Sequence, residues 1–300
     1  MDYSHAEGQA TKAYGNSSHA EGSNTEASGQ YSHAEGDFAK SIGESSHAEG
    51  YSTDAIGKWS HTEGNSTIAV GTGSHAENKG FAIGGYSHSE GYGDFYSKGL
   101  ITGSANATTY TCTDMSWVKV GAIITVDREI FAKIISYSDS SITVDKTLSR
   151  VNLSNKELLF CYGVAYGNYS HVEGQYNDTI GIASHAEGTH TVASGDYSHA
   201  EGYQTIASGD RQHVQGKYNI SSAAYAHIVG NGDSDTSRSN AHTLDWDGNG
   251  WYQGSVCVGG INGDAPAASL GANGLVLTDE TTGAKYRVYI SNGELAIATI

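Results

Sequence analysis

The sequence predicts an all-β chain: a trimeric parallel β-roll, or β-solenoid, of fourteen-residue coils, with an inserted small β-domain and a C-terminal β module. Three observations predict it. A pentapeptide Ser-His-Ala-Glu-Gly recurs with a fourteen-residue period, 40 of 300 residues are glycine while Pro266 is the only proline, and hydrophobic residues make up only 37%. Disordered chains combine abundant proline and charge with few aromatics, whereas this one has 16% charged residues and 20 tyrosines. Collagen needs a three-residue glycine period and proline, and both are missing.

The repeat begins at Ser4, Ser18, Ser32 and Ser46, varies at Ser60, Ser74 and Ser87, returns at Ser170, Ser184 and Ser198, and weakens around His213 and His227. Each unit has a second half, as in Thr25-Glu26-Ala27-Ser28-Gly29 and Thr205-Ile206-Ala207-Ser208-Gly209. Both halves read as short strands, because alternate residues share a face: Ser4, Ala6 and Gly8 point one way, His5 and Glu7 the other. A helix would carry a glycine every seven residues at about 1 kcal/mol each. Two short strands and two glycine turns therefore make one coil, stable only when stacked.

A core of alanines and serines is thin, since one alanine methyl contributes under about 1 kcal/mol. The missing burial is expected from association of several rolls around a common axis. The pair that hardly varies marks the expected subunit interface. Its histidines are His5, His19, His33, His47, His61, His75, His88, His171, His185 and His199. Its glutamates are Glu7, Glu21, Glu35, Glu49, Glu63, Glu77, Glu90, Glu173, Glu187 and Glu201. The outward residues of the second half drift (Lys12/Tyr14, Asp54/Ile56, Ile68/Val70), as a solvent face would. Histidine–glutamate hydrogen bonds between subunits are the expected contact. There a neighbouring carboxylate would raise a histidine's pKa and burial would lower it, while a glutamate accepting hydrogen bonds should be depressed.

Tyr3, Tyr31, Trp59 and Tyr86, continued by Tyr169, Tyr197 and Tyr225, precede the repeat serine, with Ser17, Ser45, Gly73 and Ala183 in the coils between. This large–small alternation reads as a packing column, with a sugar-stacking platform as the alternative.

Little catalytic chemistry is expected. Neighbouring Ser and His on a strand point to opposite faces and cannot act as nucleophile and base. A metal at every coil would stack like charges, so no metal or other cofactor is expected on the ladder. Asp245, Asp247 and Asn249 match the start of a calcium loop, but Val256 stands at the twelfth position and a β-turn is the expected role. Cys112 and Cys161 could pair, yet with Cys257 they make no framework, and reduced buried thiols are expected.

The repeat stops between Gly99 and Gly163, where strands are expected at Thr108–Cys112, Ile123–Val126, Phe131–Tyr137, Ser141–Val144 and Leu158–Tyr162. The expected partition is a β-roll at 1–99, an inserted barrel- or sandwich-like module at 100–163, a second roll segment at 164–230 and a C-terminal β module at 231–300. Hairpins are expected around Thr281-Thr282-Gly283 and Ser291-Asn292-Gly293.

The net charge of −17 and the lack of any Lys/Arg run exclude nucleic acid and anionic membrane surfaces as partners. Met1-Asp2-Tyr3-Ser4-His5 lacks the features of a signal peptide, and no apolar run reaches the roughly 18 residues of a membrane span.

At Ser-His-Ala-Glu-Gly and Thr-Ile-Ala-Ser-Gly the sequence resembles the head repeats of YadA-like trimeric adhesins, in a form similar to repeats of bacteriophage and prophage tail-fibre proteins. His and Glu stand where those heads carry Val and Ile. The resemblance covers about 160 residues and implies a homotrimer. It further implies a non-enzymatic tail-fibre or receptor-binding protein of the virion, made in the host cytoplasm. Its partners would be other tail components and a bacterial cell-surface glycan or protein receptor. The alternatives are a structural trimeric shaft and a bacterial surface adhesin head. That no anchor barrel or stalk is read after the repeats favours the phage reading, and with the repeat starting at Ser4 the expectation is a fragment or a separately encoded tip.

Overall fold

The structure is a computed structural model that describes residues 3–116, 118–253, 275–278, 282, 285–291 and 294–299. The chain divides into two units, 1–251 and 252–300. All regular structure among the described residues is β.

The first unit is a β-solenoid. Strands of the Ser-His-Ala-Glu-Gly halves, from His5–Gln9 to Tyr225–Asn231, pair in parallel, and the short second-half strands form a second parallel sheet. The register is that of the repeat: His19 pairs with His33, Ala20 with Ala34, Glu21 with Glu35. Alternation places Ala20, Ala34, Ala48 and Ala76 at 0% exposure inside, together with Ala27 and Ala55 from the opposite sheet, while the His and Glu side chains stay half-exposed outside.

Two details of the coil explain its residues. The serine is more than small. Ser18, Ser32, Ser46 and Ser60 each donate from Oγ to the carbonyl of the glycine three residues earlier at 2.7 Å, closing the corner between sheets. Where Gln212 replaces serine, its amide does the same work, accepting from the backbone N–H groups of Ser208 and Gly209 and donating to the carbonyls of Ser222 and Tyr225. The glycines set the spacing. A Cβ on Gly43 would lie 2.0 Å from the Gly57 carbonyl oxygen, and Gly36 adds a φ of +115° with a Cβ position 2.1 Å from the Gly50 oxygen. Backbone meets backbone at both columns.

The thirteen-residue step between His75 and His88 is absorbed at the second corner. His75 still pairs with His88, and Gly80 occupies the place where other coils have a buried threonine, so the residue lost is the left-handed one of that corner.

Between Gly93 and Gly163 the chain leaves the solenoid and forms a closed barrel. Its strand order is Asp94–Gly103, Thr109–Cys112, Ser141–Val144, Phe131–Tyr137, Ile123–Thr125 and Leu153–Tyr162. Five of these follow from the alternation pattern. The sixth corrects the expected boundary: Ser97-Lys98-Gly99 is not an outer half-coil but part of a barrel strand, with Ser97 opposite Leu159. Gly99, at φ +98°, sits beside a register shift, where a bulge needs the left-handed residue that a coil glycine also supplies.

The barrel has its own core, built on Tyr110, Ile124, Ile134, Ile142 and Leu158. A second cluster joins it to the solenoid: Ile68, Phe81, Ile83 and Val164 from the outer sheet pack with Ile123, Phe131 and Cys161. The outer half-coils turn apolar where the barrel docks, so the drift at Ile68/Val70 and Phe81/Ile83 marks a covered face rather than a solvent face.

The boundary expected at residue 231 also moves. Tyr225–Asn231 is the last parallel strand, and Asn240–Asp245 adds to it antiparallel. Cys112 and Cys161 are free and buried; Cys257 and Val256 lie outside the described residues. In the second unit, Leu275–Thr278, Lys285–Ser291 and Glu294–Thr299 form an antiparallel sheet. Of the turns expected there, Thr281, Gly283, Asn292 and Gly293 lie outside the described residues.

Replacing Ser60 by Ala removes one corner hydrogen bond and should lower stability by about 1 kcal/mol. Gly43→Ala drives a methyl into the next coil's carbonyl and should cost upwards of about 3 kcal/mol. Urea unfolding of both variants checks the order. Equal losses would mean that backbone contact does not space the coils.

Candidate functional site

Parallel in-register pairing stacks each chemical group on its own copy. The imidazoles of His19, His33, His47, His61, His75 and His88 lie face to face with centroids 4.8–4.9 Å apart and planes within 6°. The stack continues across the barrel insertion, with His88 on His171 at 4.9 Å, and runs on through His185 and His199.

The glutamates form a parallel column. The imidazole Nε2 atoms lie near carboxylates of their own coil, of the preceding coil, or of both, as at His47. For His47 these are Glu49 at 3.9 Å and Glu35 at 3.7 Å. The contact is tightest at 3.2 Å for His88 with Glu77 and 3.1 Å for His199 with Glu187. His5–Glu7 and His19–Glu21 are 3.8 Å apart within one coil, and His61 and His75 face Glu49 and Glu63 of the preceding coils at 4.0 and 3.7 Å. His171 and His185 approach Glu90 and Glu173 at 3.5 and 3.6 Å, and Glu201 receives His213 at 3.3 Å. The histidine–glutamate contacts expected between subunits are thus already made within one chain, because a coil rise of about 4.8 Å brings the next ring within reach.

Stacking has an electrostatic cost that the sequence reading did not anticipate. The Glu49 carboxyl, hydrogen-bonded to Glu35 and desolvated in the column, is pushed up to about 7, and Glu35, which accepts that proton, is held below the ordinary range. The expectation of uniformly depressed glutamates is corrected at Glu49: its nearest neighbours are other carboxylates. Burial, reinforced by the flanking imidazoles, lowers His47, His75 and His185, so these rings favour the neutral form. Beside the ladder a groove of about 700 Å³ runs along Glu7, Glu21, Glu35, Glu49 and Glu63 and the glycines that follow them.

A second surface lies at the corner that precedes each serine. Tyr31, Trp59, Tyr86, Tyr169 and Tyr197 are 53–62% exposed and all have φ between +54° and +59°. Left-handed backbone costs a residue with a Cβ about 1–2 kcal/mol, so glycine or asparagine would be the cheap choice. The rings stand there despite that cost. Gly73 shows how they lie: a Cβ on it would meet the Tyr86 ring at 2.7 Å, so the ring covers the small residue of the preceding coil with one face, and its other face stacks on Tyr169 of the next coil at 5.5 Å between centroids.

The ridge leads toward a cleft of about 380 Å³ lined by Ser208, Asp210, Arg211, Ala223 and Trp246. The Trp246 indole, 51% exposed, is pinned by donating from Nε1 to the Ala223 carbonyl at 3.0 Å. Arg211 lies between this indole and Tyr197, its guanidinium 5.9 Å from the tyrosine ring centroid. Arg211 and Trp246 were not legible as a pair, because 35 residues separate them and only the hairpin after Asn231 brings them together. Asp245, Asp247 and Asn249 form the turn of that hairpin. The Asp245 carboxylate accepts from the Asp247 and Asn249 backbone N–H groups at 3.0 and 2.8 Å and from the Asn249 amide at 2.9 Å. Those bonds hold Asp245 below its ordinary range and occupy the carboxylate within the turn.

A third feature is the groove between barrel and outer sheet, about 450 Å³, with Val120, Ile135, Phe160, Ile180, Val192 and Ile206 among its walls. Asp178 at its edge accepts from the Val164 backbone N–H at 3.1 Å, and burial pushes its carboxyl up to about 7.

No family model matches the sequence, and no curated protein matches it. Solved structures with a similarity include the tailspike protein gp49 from Pseudomonas phage LKA1, at 12% identity over 59% of this chain with a TM-score of 0.21. Another is the gp54 tailspike of Acinetobacter baumannii bacteriophage AP22, in complex with A. baumannii capsular saccharide, at 11% identity over 72% of this chain with a TM-score of 0.21. The chain spans 33% of the first and 39% of the second.

The ladder makes a pH prediction with two opposing parts. Glu49 has a folded value above its unfolded one, so its stabilising contribution is full below about 4.5 and is lost as pH rises through about 7. The lowered histidines contribute above about 6.5 and lose that contribution as pH falls through their folded values. Glu49→Gln should therefore raise the melting temperature at pH 8, with the gain vanishing toward pH 4.5. A gain independent of pH would show that the carboxylates do not interact along the column.

Proposed function

We propose that the chain is the trimeric receptor-binding part of a bacteriophage or prophage tail fibre, which attaches the virion to a bacterial surface glycan without chemical turnover. The observation that carries this reading is the ridge of solvent-exposed rings at strained left-handed corners, running toward the Trp246 cleft. Pinned aromatic faces beside a guanidinium, a carboxylate and hydroxyls are what a pyranose ring needs: apolar stacking on one side and hydrogen bonds at the rim. Tyr31, Trp59 and Tyr86, in alternate coils, lie about two strand spacings apart, near 9.6 Å, comparable with the length of a disaccharide, while Tyr86 and Tyr169 stack in adjacent coils at 5.5 Å. The net charge of −17 disfavours a polyanionic glycan, so a neutral or weakly charged saccharide is the proposed ligand.

The trimer rests on two supports. An Ala/Ser interior with residues such as Ala34 and Ser46 provides little hydrophobic stabilisation, and the half-exposed His/Glu face repeats identically over the solenoid, as a surface meeting copies of itself would. The His/Glu ladder is the proposed interface, leaving the ridge and the barrel outward.

Sedimentation equilibrium is expected to give three chains per particle at micromolar concentration; a stable monomer would overturn the assembly. Binding to purified surface polysaccharide of a susceptible strain is expected to fall at least tenfold in Trp246→Ala and less in Trp59→Ala, with the trimer intact. An intact trimer that binds neither cells nor polysaccharide would favour the structural shaft.

A further inference from the structure

We infer that the histidine–glutamate ladder is a linear array of divalent transition-metal sites, filled in alternate coil pairs. This does not depend on the receptor reading. The commonest unit is a glutamate of one coil with the histidine and glutamate of the next, as in Glu7, His19 and Glu21, whose ligand atoms all lie within 4.8 Å of one another; His47, Glu49 and His61 make a two-histidine variant.

The motive is an anomaly in the ladder. The Nε2 atoms of His19, His33, His47, His61, His75 and His171 are shielded from solvent and make no hydrogen bond. Each nevertheless has carboxylate oxygens close by: for His47, 3.7 Å to Glu35 and 3.9 Å to Glu49. These separations are too long for hydrogen bonds and slightly wider than the roughly 3.4 Å between ligands of a tetrahedral ion with metal–ligand bonds near 2.1 Å. A small closure of flexible glutamate side chains would complete the set. An imidazole with two carboxylates suits Zn²⁺, Co²⁺ or Ni²⁺; Ca²⁺ and Mg²⁺ prefer oxygen ligands alone. The fourth position is open to water or to a neighbouring chain.

Charge fixes the occupancy. One ion per coil would place two positive charges against each single carboxylate and set ions one strand spacing apart. One ion per two coils balances two carboxylates with a neutral imidazole between them, and doubling the spacing halves the repulsion between ions. Ten ladder glutamates then correspond to five ions per chain.

The test uses the intact protein stripped with EDTA and titrated with zinc chloride. Calorimetry and elemental analysis after dialysis are expected to give about five Zn²⁺ per chain, with a higher melting temperature. Imidazole ¹⁵N spectra are expected to show alternate ladder histidines shifting at Nε2 while those between do not. The double variant Glu35→Gln, Glu49→Gln should lose one ion. One ion or fewer per chain, or about ten, would overturn the array, as would a uniform response of all ladder histidines. Should the variant fail to fold, the wild-type stoichiometry and spectra decide the matter.

Discussion

Everything in this solenoid depends on one contact: the backbone of a glycine in one coil lying directly against the backbone of the same glycine in the next. The Cβ positions of Gly15, Gly29 and Gly43 fall within 1.9–2.0 Å of a carbonyl oxygen of the neighbouring coil. No side chain fits, so the coils cannot tilt or slip, and register is exact to the residue. A core of alanines needs such a constraint, because methyl groups alone would tolerate several registers. The cost appears outside. Identical register puts like on like, histidine on histidine and glutamate on glutamate, and the raised carboxyl of Glu49 is the direct result.

The barrel shows how an insertion is accommodated under that constraint. The chain leaves at Gly93 and returns at Gly163, and these two glycines touch: a Cβ on Gly163 would lie 2.5 Å from the Gly93 Cα. Stacking therefore resumes as if nothing intervened, with His88 on His171 and Phe81 opposite Val164. The excursion is anchored by apolar residues at outer positions that elsewhere carry Lys12, Glu26 or Lys40. Burying Phe81 completely, at 0% exposure, ties solenoid and barrel into one cooperative piece.

Legibility in the sequence followed physical uniqueness. The coil period, the inward Ser/Ala and the outward His/Glu could be read directly, because a two-residue alternation between glycines has one solution. The barrel strand from Asp94 could not, because Ser97-Lys98-Gly99 satisfies a half-coil and a bulged strand equally well. The serine's hydrogen bond was hidden for a similar reason: a buried small residue suffices to explain a serine until the Gly57 carbonyl is seen 2.7 Å from the Ser60 hydroxyl. The apolar outer pairs Ile68/Val70 and Phe81/Ile83 did carry a signal. Read as a block next to an insertion rather than as drift, they mark where the inserted domain docks.

The two corners divide the chemistry of the molecule. At the inner sheet, identical groups repeat at every coil, so any property of the ladder is collective: a proton or ion bound at one level changes the field at the next. At the corner before the serine, the coils differ: the left-handed residue there is large in some coils and small in others, as where the Tyr86 ring covers Gly73 of the preceding coil. Aromatic rings occupy that corner in many coils, and Arg211 takes the same position, at φ +59°, where the Trp246 cleft opens. A repeat so rigid inside can vary its surface only at such corners and in its insertions. Variation from coil to coil is therefore concentrated in the ridge, the cleft and the barrel, whereas the ladder repeats the same groups.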